Sequence, residues 1–160
     1  MFKYVFILLV TSNLVFSACV YAAPAPDFSL PTAGASINLK DLKGKLVYVD
    51  FWASWCVPCQ KSFPWMSEMQ ERYADQGLVV VAINLDKDKK FVEKFLQTYP
   101  AKFTIAYDPK GETASSYKVA GMPSSYLIDP QGELKYSHIG FRETSKSEIE
   151  QQIITLLKVR

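Results

Sequence analysis

Cys56 and Cys59 stand three residues apart in the run Val49-Asp50-Phe51-Trp52-Ala53-Ser54-Trp55-Cys56-Val57-Pro58-Cys59, where an apolar, β-prone stretch breaks into a short polar turn. The twenty residues that follow read as helix. Cysteines at i and i+3 on a first helical turn face one side and lie close enough to bond with little backbone movement. The unpaired N–H groups and positive dipole end of that helix stabilise a thiolate on the first of them. The thiolate is the form that attacks disulfides. Residue types and spacing therefore point to a redox-active pair, and a bridge across so short a loop constrains the unfolded chain little. Such a pair is better suited to exchange than to holding a fold.

Other chemistries fit these residues less well. Zinc needs about four ligands, and the one histidine of the chain, His138, falls on a distant strand, so neither a metal nor another cofactor is expected. His138 reads as an ordinary strand residue. A secreted disulfide scaffold would carry more cysteines at wider separations. Asp50 is an acid inside the apolar run Leu46–Trp52. Burying a carboxylate is costly unless it is paired or used, so Asp50 is either a satisfied strand-end group or part of the site. Trp52 is expected to pack and Trp55 to line an exposed apolar rim, with Tyr126 and Phe141 in core or rim positions.

The elements that must position these groups follow from hydrophobic pattern. Lys45–Trp52 is apolar on both faces, which suits a central strand covered on both sides. The helix from Val57 should reach about Ala74, with Pro58 tolerated in its first turn and Pro64 kinking it, and Gly77 closing the segment. Leu78–Leu85 repeats the continuous apolar strand. A helix opening at Asp86–Lys90 and ending at Thr98 should place Phe91, Val92, Phe95 and Leu96 on one face. Phe103–Ala106 is a short strand and Glu112–Tyr117 a brief helix. Val119–Pro123 is a loop into the strand Ser124–Ile128, and Glu133–Ile139 is its hairpin partner after the Asp129–Gly132 turn. Thr144 or Ser145 can cap a last helix that turns Ile149, Ile153, Leu156 and Leu157 inward. At the other end, Phe28–Leu30 and Ser36–Leu39 flank Pro31-Thr32-Ala33-Gly34 as a hairpin, after an extended Ala23–Pro26 linker. Strands alternating with helices predict an α/β fold, a mixed central sheet with helices on both faces.

A chain of 160 residues is one domain in length, and 49% hydrophobic residues suffice for a sizeable core. The net charge of +2 comes from interspersed lysines and acids, so nothing asks for nucleic acid. Residues 1–23 differ in kind: Lys3 is the only charge before Asp27, and Val5–Val20 is almost wholly apolar, the pattern of a secretory signal. Two endings compete. Val20-Tyr21-Ala22 offers an ordinary cleavage site, whereas Phe16-Ser17-Ala18-Cys19 resembles a bacterial lipobox with lipid on Cys19. An uncleaved anchor ranks third, because the apolar run is marginal for a bilayer span. Each reading puts the domain, residues 24–160, outside the cytoplasm and leaves Cys56 and Cys59 as its only cysteines.

Trp52–Cys59 resembles the thioredoxin active-site signature, and Gly121-Met122-Pro123 resembles the loop carrying that fold's cis-proline. Ala25–Phe28, Leu39–Lys45 and Met122–Gly132 are similar to extracytoplasmic bacterial thioredoxins of the TlpA/ResA (redoxin) type. The resemblance covers about Ala25 to Leu157. It implies a thioredoxin-like fold with an added N-terminal β-hairpin, working as a monomer. It implies that Cys56 attacks and Cys59 resolves, passing through a redox-active disulfide, and that Trp55, Pro58, Met122 and a cis Pro123 meet the substrate chain. Asp50 falls where thioredoxins keep a buried carboxylate that helps deprotonate the resolving cysteine; desolvation would raise its pKa toward neutrality. Two positions depart from the pattern. Ser62 stands where relatives in cytochrome c maturation commonly carry an acid, and the strand Val80-Val81-Ala82-Ile83 offers Asp50 no basic partner. A peroxiredoxin pattern would place Pro and Thr or Ser ahead of a lone cysteine, at the positions held by Val49 and Ala53.

The resemblance implies a protein-disulfide reductase of the cell envelope. Its partners would be disulfide-containing clients, typically apocytochrome c or a copper-site protein, and a membrane thiol-electron donor. The uncharged Val57-Pro58 dipeptide, similar to the thioredoxin pattern, suggests a potential of around −270 to −200 mV. The alternatives are a cysteine-paired metallochaperone or redox adaptor without turnover, and an oxidant or isomerase of the same fold.

Overall fold

The innermost of five strands is β3, Leu46–Trp52, and all seven of its residues are buried, as its two-sided apolar sequence requires. The computed structural model describes residues 23–159. Around β3 the sheet has the order β5-β4-β3-β6-β7, where β4 is Leu78–Asn84, β5 Thr104–Tyr107, β6 Ser124–Ile128 and β7 Leu134–Ile139. β3 runs parallel to β4 and antiparallel to β6, so the sheet is mixed. A separate antiparallel pair, β1 (Ser29–Pro31) and β2 (Ser36–Asn38), forms the N-terminal hairpin.

Alternation along β3 divides the core in two. Leu46, Tyr48 and Trp52 point to one face, which is covered by α1 (Val57–Tyr73), α2 (Lys89–Thr98) and α4 (Glu143–Lys158) through Phe63, Met66, Phe95, Ile149 and Ile153. Val47, Val49 and Phe51 point to the other, covered by α3 (Glu112–Ser116) and the hairpin through Ala114, Leu30 and Phe28. Trp52 packs as expected, its ring centroid 4.5 Å from that of Phe63 and 4.7 Å from that of Phe95. Tyr126 and Phe141 are both buried.

Several boundaries depart from the sequence reading. α1 and its 3-10 extension do end at Gly77 as the sequence reading has it, with φ of 95°, a left-handed conformation suited to glycine, and Pro64 lies within the helix with its side chain exposed. α2 starts at Lys89, capped by the Asp88 carboxylate, which accepts from Lys90 N–H. Phe91 is half exposed and does not join the core face. At 100° per residue it stands at the margin of the arc centred between Val92 and Phe95. α4 is capped at Arg142 rather than Thr144 or Ser145; Ser145, in the first turn, accepts from Arg142 N–H at 3.1 Å. Ala23–Pro26 is no free linker. Pro24 bridges Glu133, Ala25 N–H donates to Gly132 C=O, and Leu134 N–H donates to Ala23 C=O. The expected leader lies outside the described residues, and among those described no helix is long and apolar enough to cross a membrane.

Candidate active site

The cysteines sit where β3 ends and α1 begins. Ala53 C=O accepts from Cys56 N–H at 3.0 Å, which turns the chain, and Cys56, in extended conformation, caps α1 without a side-chain hydrogen bond. Of the first-turn N–H groups, that of Cys59 donates to Cys56 C=O at 3.1 Å, so the Val57 N–H is the one without an intrahelical acceptor beside the Cys56 sulfur. Pro58, in that first turn, contributes none. Cys56 and Cys59 are joined as a disulfide with a Cα–Cα separation of 5.3 Å, inside the ordinary range. Cys59 is fully buried and Cys56 is 3% exposed, while Trp55 beside them is 70% exposed and Val57 62%. A buried pair is thus approached over an apolar lip of Trp55, Val57 and Pro58. Ser62 is buried one turn below, its hydroxyl donating to Cys59 C=O at 3.1 Å.

The turn is held by a residue that sequence reasoning missed. Asp86, just beyond β4, accepts from Ser54 N–H at 2.7 Å, from the Ser54 hydroxyl at 2.9 Å and from the Asn84 amide at 2.8 Å. Asn84 in return accepts from Asp86 N–H at 2.9 Å. Trp52 and Asn84 are register partners, so the two strand ends lie side by side and the clamp spans them. The sequence signal was an Asn-x-Asp pair directly after an apolar strand; nothing local tied it to Ser54.

Asp50 shares the α1-covered face of β3 with Tyr48 and Trp52. It is 1% exposed, and its Oδ2 has no hydrogen-bond partner. Burial pushes its carboxyl well above the usual value of 3.8. Its neighbour across β4 is Ala82, so the absence of a basic partner read from the sequence is visible in the register. On the other side lies Ser125 of β6.

The Met122–Pro123 bond is cis, immediately ahead of β6. Ser124, the next residue, donates from its hydroxyl to Gly121 C=O at 2.6 Å. Met122 packs against the cluster that holds both cysteines. Together with Gly121, Val119, Leu85 and Trp55 it lines an open, uncharged groove. A second hollow runs from Trp55 and Leu85 to Phe91, flanked by Asp86 and Lys87. The fold therefore gathers Trp55, Met122 and the cysteines into one region, sets Asp50 in the layer beneath, and adds Phe91 as an unforeseen rim residue. His138 lies two strands away on β7. Among the described residues no group of three or more His, Cys, Asp or Glu could hold a metal ion.

The model of the AhpC/TSA family matches residues 22–137. The thioredoxin-like protein YneN of Bacillus subtilis is 42% identical over 133 residues, 81% of this chain and 76% of that protein. The thiol-disulfide oxidoreductase ResA of Bacillus cereus is 37% identical over 127 residues, 79% of this chain and 72% of that one. A crystal structure from Chlorobium tepidum, described as a thiol:disulfide interchange protein DsbE, superposes with a TM-score of 0.83 at 50% identity, covering 85% of this chain and 96% of the other. An exposed lipoprotein thioredoxin of Streptococcus pneumoniae superposes with a TM-score of 0.71 at 32% identity, covering 82% and 100%.

Proposed function

The chain belongs to the AhpC/TSA family and is a thiol–disulfide oxidoreductase, and we propose that it serves in the cell envelope as a reductant of client disulfides. The observation that carries the reading is the Cys56–Cys59 disulfide at the start of α1, beneath an exposed apolar lip. In the dithiol form the Cys56 thiolate attacks one sulfur of the client disulfide, and the other client sulfur leaves as a thiolate. Cys59 then gives its proton to the Asp50 carboxylate and attacks the Cys56 sulfur. The Cys56–Cys59 bond forms, the second client sulfur departs, and two electrons have passed to the client. Trp55, Pro58, Met122 and Pro123 receive the client chain, for which the uncharged groove leaves room.

The envelope location rests on the signal-like residues 1–23 and on the likeness to an exposed lipoprotein thioredoxin. A reductant working there draws electrons from a membrane thiol donor. Ser62, closed against Cys59 C=O, leaves the client open among proteins with accessible disulfides, apocytochrome c and copper-site proteins included. The test uses insulin and dithiothreitol. Reduction should be lost in Cys56→Ser, whereas Cys59→Ser should accumulate mixed disulfides. Turnover that survives Cys56→Ser would end this reading. The potential should fall between about −270 and −200 mV, and a value above about −150 mV would reverse the direction.

A further inference from the structure

Asp50 must return the proton it receives, and it is sealed from solvent. On the β4 side its row is closed by Ala82 and then Ile105 of β5, both apolar. On the other side the row is polar: Asp50 pairs with Ser125, and Ser125 pairs with His138. Residues directly opposite across antiparallel strands share a face, with Cβ atoms about 5 Å apart. Asp50 and His138 are therefore two strand spacings apart, about 10 Å, with one buried hydroxyl residue between them. Ser125 is 4% exposed, and His138 is partly exposed at the sheet margin.

The outer end of the row is oriented. Gln152 of α4 donates through Nε2 to the Glu148 carboxylate at 3.5 Å, which turns its amide oxygen toward His138 Nε2 at 2.8 Å. A carbonyl oxygen can only accept, so Nε2–H donates to it, and Nδ1 is the ring nitrogen left for a relayed proton. His138 and Glu148 also line one open surface hollow with Arg142. We propose that Asp50, Ser125 and His138 form a proton path across the sheet, carrying to solvent the proton that Cys59 gives up. This rests on the oxidoreductase reading and makes Ser125 and His138 positioning and relay residues rather than groups that touch the client.

The path runs through defined neighbours. Asp50 shares its face of β3 with Tyr48 and Trp52, has Ala82 of β4 and Ser125 of β6 as its register neighbours, and lies on the side of the sheet covered by the cluster that holds Cys56, Cys59, Ile149 and Ile153. The Tyr48 phenol is held up chiefly by burial and further by the Asp50 charge, and Ser125 lies against it. His138 faces Ser125 from β6, Gln152 and Glu148 from α4, Tyr136 on its own strand, and Arg142 beyond it. Apart from these, the row itself offers no second titratable exit.

Two measurements test the path. In NMR of the disulfide form, proton exchange between the Asp50 carboxyl and solvent should slow in Ser125→Ala and in His138→Gln. In insulin turnover, His138→Gln and Ser125→Ala should lower kcat roughly tenfold with a displaced pH profile and unchanged KM. Ser125→Thr, which keeps the hydroxyl, should restore the rate, and added imidazole should rescue His138→Gln. Asp50 exchange unchanged in both variants, or variants with the wild-type pH profile and no imidazole response, would overturn the path while leaving Cys56-dependent turnover intact. Turnover independent of Cys56 would instead remove the reading beneath it, and the exchange measurement would still report whether the row carries the proton.

Discussion

Burial holds the Asp50 carboxyl well above 3.8, and its Oδ2 has no partner. The unfolded chain releases this proton near pH 3.8, whereas the folded chain keeps it to higher pH. The folded state thus binds more protons, so stability is fully present below the unfolded value and declines as pH rises toward the folded one. The slope from this group is at most about 1.4 kcal/mol per pH unit. Asp50→Asn cannot ionise, so its stability relative to wild type should increase steadily from about pH 4 toward neutrality. Urea denaturation of both disulfide forms across pH 4 to 8 would show diverging curves; parallel ones would mean that the carboxyl titrates alike in both states. At this scale the sequence was legible wherever a residue broke a local rule. An acid inside an apolar strand and two cysteines at helical spacing announce themselves. Asp86 broke no such rule, because its partner Ser54 is 32 residues away and they meet only through the parallel pairing of β3 and β4.

Elements were legible in type and less so in phase. The continuous apolar runs of β3 and β4 and the polar turn ahead of α1 placed the cysteines at a strand-to-helix junction, where the structure has them. The charged run from Asp86 suggests a helix start ahead of the observed one at Lys89, and the apolar spacing groups Phe91 with the core face, whereas the helix turns it toward the hollow beside Trp55. The junction depends on a clamp between elements. Asp86→Ala would leave Ser54 N–H and the Asn84 amide without their carboxylate acceptor in a partly buried setting, and should cost about 1–3 kcal/mol. Denaturant unfolding checks this, and a loss below about 0.5 kcal/mol, the level of an ordinary surface substitution, would show that solvent replaces the clamp.

For the whole molecule, the least legible feature was the docking of residues 23–25 along Gly132–Leu134. A Pro-Ala repeat reads as a spacer, and only the neighbouring turn converts it into a bound strand. A chain beginning at Pro26 would lose two backbone hydrogen bonds there, worth roughly 1–3 kcal/mol together. A lowered melting temperature should follow, and an unchanged one would make the docking incidental. The same contact gives the protein a compass. Pro123 stands before the first residue of β6, whereas Ala23 and Ala25 bind beyond its last. The chain therefore enters the fold at the pole opposite the disulfide. Three residues, Val20, Tyr21 and Ala22, lie between Cys19 and Ala23, and the four Cα steps reach at most about 14 Å when extended. If that cysteine were lipidated, the membrane would lie behind the domain like a wall behind a lamp. Clients would meet the cysteines on the outward side, and an electron donor in the same membrane would have to extend past the domain to recharge them.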